Sequence, residues 1–217
     1  MNLAIFIIMA VACFALAILN GFFQDREKPS GLIFNIVTPL SFLVFAIISG
    51  NLVSNYNALY LSLCIAIAFY VATEACAKHT KAEMILKGLL NISSLVLLVL
   101  GSISLAPFTF YGLLGGFLLG AGFGFTVFVV SKDCTLTKKI ICFVEFLFGG
   151  VILGCSFSSV ISSTHLISAV LYLVGAVLLF ARYFMRGYFG KYKTIQIISR
   201  IVFGLSMICI ISSIFFY

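Results

Sequence analysis

Long apolar stretches separated by short polar gaps set the pattern of this 217-residue chain. A helix needs about 20 mostly apolar residues to cross a bilayer. Eight segments reach that length, at 3–23, 31–50, 57–77, 84–104, 108–130, 140–160, 166–185 and 195–216. No segment alternates apolar and polar residues for long, as the strands of a membrane barrel do. The pattern predicts an all-α polytopic membrane protein, a compact bundle of eight transmembrane helices that forms a single domain over 1–217.

Charged residues in the gaps between these segments occupy only every second gap. They cluster at 24–28, 78–83, 131–139 and 182–193, whereas the gaps near 51–57, 104–107 and 161–165 contain none. Lys and Arg in short loops are retained on the cytoplasmic side of a membrane. We therefore predict a multi-pass protein of the cell membrane with cytoplasmic charged gaps and with both termini on the non-cytoplasmic side.

Composition supports a membrane protein and argues against a nucleic-acid partner. The chain is 63% hydrophobic and 9% charged, whereas globular domains carry about 25% charged residues. Its net charge of +7 comes from bases beside apolar segments, where they meet anionic lipid headgroups. The seven cysteines are scattered and form no C-x-x-C motif. We accordingly predict no disulfide, no metal site and no cofactor.

Four glycines repeat at every fourth position of the fifth segment: Gly112, Gly116, Gly120 and Gly124. On a helix, this spacing makes one smooth stripe that lets another backbone approach closely. The first interpretation is packing against another helix of the same bundle. A homodimer through this stripe, or a cavity wall, is the alternative.

Ionisable side chains inside the predicted spans are candidates for chemistry, because a charge inside a bilayer is costly and is usually functional or paired. The five are Glu74, Lys87, Glu145, Arg182 and Arg200. All lie in the half of the bundle next to the charged gaps. The long stems of the three bases allow their charges to reach the headgroups. Glu74 has Lys78 four residues later as a surface partner, whereas Glu145 has no base in its segment and must pair across helices or stay protonated.

Several short motifs resemble the YhhN family of lysoplasmalogenases, as does the arrangement of eight spans with short connections. Lys28-Pro29 opens the second span, and Thr73-Glu74 stands where the family carries Gly-Asp at the end of the third. Gly88-Leu89 and the run 175–180 match motifs of the fourth and seventh spans. The chain departs from the family where Val96 replaces an intramembrane His, and where Arg182-Tyr183 replaces Ser-Asp.

The resemblance implies hydrolysis of the vinyl ether bond of a lysophospholipid, with release of a fatty aldehyde and a glycerophospho-alcohol. Such a reaction protonates carbon and adds water to an oxocarbenium-like ion, so it requires a general acid and a second carboxylate. In this hypothesis Glu145 is the acid and Glu74 activates the nucleophile. The candidate substrate-binding residues are Lys28, Lys87, Asn91, Arg182 and Tyr183.

Two other classes of function stay open. A carrier or binding protein for a small amphiphile is one, although transporters tend to place charges near the midplane on broken helices, and here the charges lie near one face. A catalytically inactive relative is the other, which the absent His and second Asp favour. In each case the partner is a membrane lipid or a similar amphiphile.

Overall fold

The computed structural model describes residues 2–23, 29–53, 57–75, 81–105, 110–130, 136–190 and 192–217. Its helices are α1 (Asn2–Phe22), α2 (Pro29–Val53), α3 (Ala58–Ala75), α4 (Lys81–Ser104), α5 (Phe110–Val130), α6 (Leu136–Ser162), α7 (Leu166–Phe189) and α8 (Lys193–Phe215). Each is long and apolar enough to cross a membrane. The described ranges contain no strand. The predicted all-α polytopic fold is confirmed.

Within the described ranges, seven helices form a closed ring, in the order α1, α2, α3, α4, α6, α7 and α8. α8 also packs on α2, which makes α8 the most buried of the eight. Its buried face is rich in small side chains, and Gly204 lies against Ala17 of α1 while Ser206 donates to the Gly175 carbonyl of α7. Small residues bring the backbones of membrane helices close together, as expected where lipid supplies no hydrophobic drive.

The helix that follows α4 in sequence is not its main neighbour in space. α4 packs on α3 and α6, although only a short gap in sequence separates it from α5. Ser159 of α6 donates to the Ser102 carbonyl of α4 over 3.0 Å. α5 lies outside the ring against α6. α4 ends at Ser104 and α5 begins at Phe110, so the two are separate helices, and 106–109 lie outside the described residues.

The glycine stripe of α5 explains why this helix packs on α6. A Cβ on Gly116 would meet the carbonyl of Gly150 and lie 3.0 Å from the Cα of Val151. A Cβ on Gly120 would lie 2.8 Å from the Cα of Leu147. The stripe is thus in contact with another helix of the same chain, and a second copy of the chain would have to approach α5 through another face.

The largest extensions beyond the bounds that the apolar pattern predicted are in α6 and α7, both at the same end of the bundle. α6 begins at Leu136 instead of 140, and α7 ends at Phe189 instead of 185. The prediction ended where the apolar run ended, but a helix continues where polar side chains find partners or water. We call this the charged end; there α1, α3, α5 and α7 finish and α2, α4, α6 and α8 begin. The extension puts Arg186 on the last turns of α7.

Candidate functional site

Glu145 of α6 is the most buried of the candidate site residues with a charge, at 5% exposure. Its Oε1 accepts hydrogen bonds from Nη1 of Arg186 on α7 and from Nδ2 of Asn91 on α4, each over 3.3 Å. The Arg186 side chain remains 42% exposed, so this ion pair reaches from the interior to the edge of the charged end. No described residue donates to the second oxygen, Oε2.

Glu74 of α3 faces the same helix, α4. Its Oε2 lies 3.9 Å from Nζ of Lys87, and that ammonium also donates to the Thr73 carbonyl over 2.6 Å. Both side chains are less than one-fifth exposed. The predicted surface partner Lys78 lies outside the described residues. Lys87 of α4 therefore binds the end of α3 through these two contacts, instead of extending to the headgroups.

The two glutamates converge on one turn of α4. Lys87, which contacts Glu74, and Asn91, which contacts Glu145, are four residues apart and so lie on the same face, about 6 Å apart along the axis. Residues from α3, α4, α6 and α7 thus form one cluster of two acids and two bases at the charged end. Hydrophobicity alone did not predict this convergence, because it depends on α4 lying between α3 and α6.

Arg182 of α7 has a different environment from the other bases. Its guanidinium carbon lies 3.8 Å from the centre of the Phe203 ring, so the cation stacks on an aromatic face. Its Nε is buried and donates to no acceptor. The neighbouring Tyr183 is buried in space left by Gly149, where a Cβ would lie 2.8 Å from the tyrosine ring.

A narrow cleft lies beside Arg182, between α3, α4, α7 and α8. Its lining is polar toward the charged end and apolar further in, and comprises Tyr70, Asn91, Ser94, Leu95, Leu98, Leu179, Arg182, Tyr183, Phe203 and Met207. It has room for about one water molecule. Asn91 joins this cleft to the Glu145 ion pair, because it lines the one and donates to the other.

A second polar contact at the charged end ties α8 to α1 and α2. Arg200 donates from Nη1 to Oδ1 of Asn20 over 2.9 Å and to Oδ1 of Asn35 over 2.6 Å. The Asn35 amide nitrogen is buried without an acceptor. Pro39, one turn further along α2, has no N–H to offer the Asn35 carbonyl. Arg200 thus points into the bundle rather than out to the headgroups.

The described site residues predicted from the sequence lie together, with one addition. Glu74, Lys87, Asn91, Glu145, Arg182 and Tyr183 all lie around the contacts just described. Lys28 lies outside the described residues, so its predicted role stays a prediction. The sequence analysis missed Arg186 as a partner of Glu145, because it assigned this residue to a gap. Its position four residues after Arg182 is the signal that puts both on one helix face.

Potential metal ligands do not gather in the part of the chain that the structure describes. No group of three His, Cys, Asp or Glu side chains is found there. No disulfide joins the described cysteines, which are Cys13, Cys64, Cys142, Cys155 and Cys209. The polar groups that the cluster and the cleft offer a ligand are carboxylates, guanidinium groups, an ammonium, hydroxyls and an amide.

The fold and the site together define a class, that of multi-pass α-helical membrane proteins with a polar cluster at one end. No protein-family model, curated protein or solved structure matches this chain. The resemblance of its motifs to the YhhN family stays a prediction.

Proposed function

We propose that this protein is a lysoplasmalogenase-like hydrolase, which cleaves the vinyl ether bond of a lysophospholipid in the membrane. The observation that carries the proposal is the convergence of Glu74 and Glu145 on one turn of α4, next to a cleft that contains Arg182. Enzymes that catalyse a reaction through an oxocarbenium-like ion usually place two carboxyl groups near the reacting centre. The motif resemblance supports the same reaction.

The reaction divides between the two glutamates. Oε2 of Glu145, which accepts no hydrogen bond from a described residue, is the proton donor to the vinyl carbon, and Oε1 is fixed by Arg186 and Asn91. Protonation converts the enol ether into an oxocarbenium-like ion. Glu74 activates a water, which adds to that ion to form a hemiacetal. The hemiacetal then breaks its C–O bond. Glu145 takes the hydroxyl proton as the aldehyde forms, and Glu74 gives the proton that it took from water to the departing alcohol oxygen, so both glutamates return to their starting states.

Hydrolysis of lysoplasmalogen by the purified protein in a neutral detergent tests this proposal. We expect Glu145→Gln and Glu74→Gln each to lower kcat/KM for aldehyde release by about 10²- to 10⁴-fold, because each removes a proton-transfer group. The matched control is Asp133→Asn, which removes one carboxylate between α5 and α6 and should retain activity. Full activity in both glutamate variants would exclude these residues as the acid and base.

A second candidate is a carrier or binding protein for a small amphiphile, or a catalytically inactive relative of the hydrolase. The observation that favours it is that both glutamates already face a base, at 3.9 Å for Glu74 and 3.3 Å for Glu145. A binding role requires only the cleft and its cation. Tight binding of the intact lipid without aldehyde release would select this candidate.

The orientation belongs to the proposal as well. The gaps that contain Lys and Arg connect the helices whose ends meet at the charged end. Short loops rich in Lys and Arg remain in the cytoplasm. We place the charged end, and with it the cleft, on the cytoplasmic side of a cell membrane, with both chain ends on the opposite side.

A further inference from the structure

Arg182 differs from Lys87, Arg186 and Arg200 in what it contacts. Lys87 and Arg186 each face a glutamate, and Arg200 donates to two asparagines. Arg182 instead lies on the ring of Phe203. Its Nε is buried, and no described residue accepts a hydrogen bond from this atom. The described part of the chain therefore provides no acceptor for this donor of the cation.

The buried Nε of Arg182 is unfavourable without a hydrogen-bond acceptor. A ligand with an anionic group would supply that acceptor. A buried donor without an acceptor lowers the stability of the folded protein, and it does so more strongly on a charged group. Stacking on Phe203 leaves the edge of the guanidinium plane free. That edge presents parallel N–H donors that match two oxygens of a phosphate or a carboxylate. A Lys in the same place would lack this fork.

The rest of the cleft indicates what is attached to the anion. Asn91 and Tyr70 lie toward the charged end, whereas Leu95 and Leu98 follow on the inner side of α4. From Asn91 to Leu98 the cleft follows α4 for about 10 Å. The last lining residue of α4 is Leu98, whose carbonyl accepts a hydrogen bond from the Tyr172 hydroxyl over 2.6 Å. The lining thus changes from polar to apolar over the length of a short alkyl segment.

We infer that Arg182 binds the anionic head of a single-chain amphiphile, with the phosphate or carboxylate against its guanidinium edge and the alkyl chain along Leu95, Leu98 and Met207. This inference rests on the proposed function, since it names the substrate class of the same cleft. Because the cleft has room for only about one water molecule, side chains must move on binding. Met207 is the residue suited to this, since an unbranched thioether side chain adopts many shapes.

Thermal unfolding of the full chain in dodecyl maltoside micelles, followed with a thiol-reactive dye, tests the inference. Buried cysteines such as Cys13 and Cys155 become reactive only on unfolding. The ligand probe is dodecyl phosphate, compared with inorganic phosphate alone. We expect dodecyl phosphate to raise the unfolding midpoint saturably, by about 5 °C when its concentration is 100 times the dissociation constant. Inorganic phosphate at the same concentration should not.

The variants separate Arg182 from a general effect of charge. Arg182→Gln should abolish the shift, and Arg182→Lys, which keeps the charge but not the planar fork, should weaken binding at least about tenfold. Lys193→Gln removes an exposed base at the start of α8 and should retain the full shift. If Arg182→Gln does not fold, the comparison of Arg182→Lys with Lys193→Gln still decides the question.

Two results would overturn the inference. An unchanged shift in the Arg182 variants would exclude Arg182 as the anion site. An equal shift with inorganic phosphate would mean that the site takes a free anion and that the alkyl chain contributes nothing. Failure of the hydrolase proposal looks different: the shift persists and depends on Arg182, but lysoplasmalogen is bound and not cleaved.

Discussion

At the scale of single residues, the contacts of Glu145 explain how an acid is accommodated inside this bundle. A carboxylate that is buried needs hydrogen-bond donors to offset the loss of water, and two donors reach its Oε1 from two other helices. Asn91 supplies one donor without adding charge, and Arg186 supplies the compensating charge. The pair extends from a nearly buried carboxylate to a base that is 42% exposed, so solvent or headgroups partly screen it.

Removal of Arg186 alone should therefore destabilise the protein more than removal of both Arg186 and Glu145. We expect Arg186→Met to lower the free energy of unfolding by about 1–3 kcal/mol, nearer the lower value because of the screening. The double variant Arg186→Met with Glu145→Gln should be more stable than Arg186→Met, since no buried carboxylate is left unpaired. Unfolding midpoints of the native protein, the two single variants and the double variant give the interaction energy between the two side chains. Losses that simply add would show that the two side chains do not interact.

The sequence predicted the candidate site incompletely, for a reason visible in Arg186. The glutamates were identifiable because acids inside apolar segments are rare. Arg186 was counted in a gap, since a hydropathy pattern records where the apolar run ends and not where the helix ends. The contact of Glu74 with Lys87 was not predicted either: an i,i+4 contact needs only one helix, whereas this contact depends on how α3 packs on α4.

At the scale of helices, the number and approximate bounds of the spans follow from apolar length alone, but their neighbours do not. α4 packs on one face of α6 through a hydrogen bond between Ser159 and Ser102. α5 packs on another face of α6 through glycines. Both faces of α6 are thereby occupied within the chain. Apolar periodicity carries little information on such contacts, since lipid-facing and helix-facing positions are both apolar.

The α5–α6 contact gives a prediction with an internal control. Gly116→Ala should destabilise the protein by about 1–3 kcal/mol, because the new methyl group meets the Gly150 backbone and the helices must separate. Gly115, the preceding residue, has open space around it. Gly115→Ala should be neutral or stabilising by up to about 1 kcal/mol, because alanine favours helix. Unfolding midpoints compare the two, and equal losses would mean that α5 does not pack on α6 through this stripe.

At the scale of the whole molecule, polarity is distributed unequally between the two ends of the bundle. The ion pairs, the Arg200 contacts and the polar part of the cleft lining all lie toward the charged end. The contacts toward the other end involve mostly serines and backbone carbonyls, such as Ser168 with Ser213 over 2.7 Å. A ligand with a charged head and an apolar chain fits such a gradient. The same gradient agrees with a cytoplasmic location of the charged end.

The orientation is testable on the full chain with two reporters fused after Tyr217. Alkaline phosphatase is active only outside the cytoplasm, and a fluorescent protein of the GFP type exported in unfolded form is dark. We expect an active phosphatase fusion and a dark fluorescent fusion, because the gaps with bases remain inside. A fluorescent C-terminal fusion with an inactive phosphatase would reverse the orientation and move the cleft to the outer side.

The release of products from lysoplasmalogen by the reconstituted protein separates a hydrolase from a binding protein. Mass spectrometry of the reaction should find fatty aldehyde and glycerophospho-alcohol in equal amounts, since one water cleaves one vinyl ether. Glu145→Gln in the same lipid should produce neither above the rate in protein-free membranes. Intact lysoplasmalogen after incubation with folded native protein would contradict the hydrolase, and would leave the cleft at Arg182 as a binding site without chemistry.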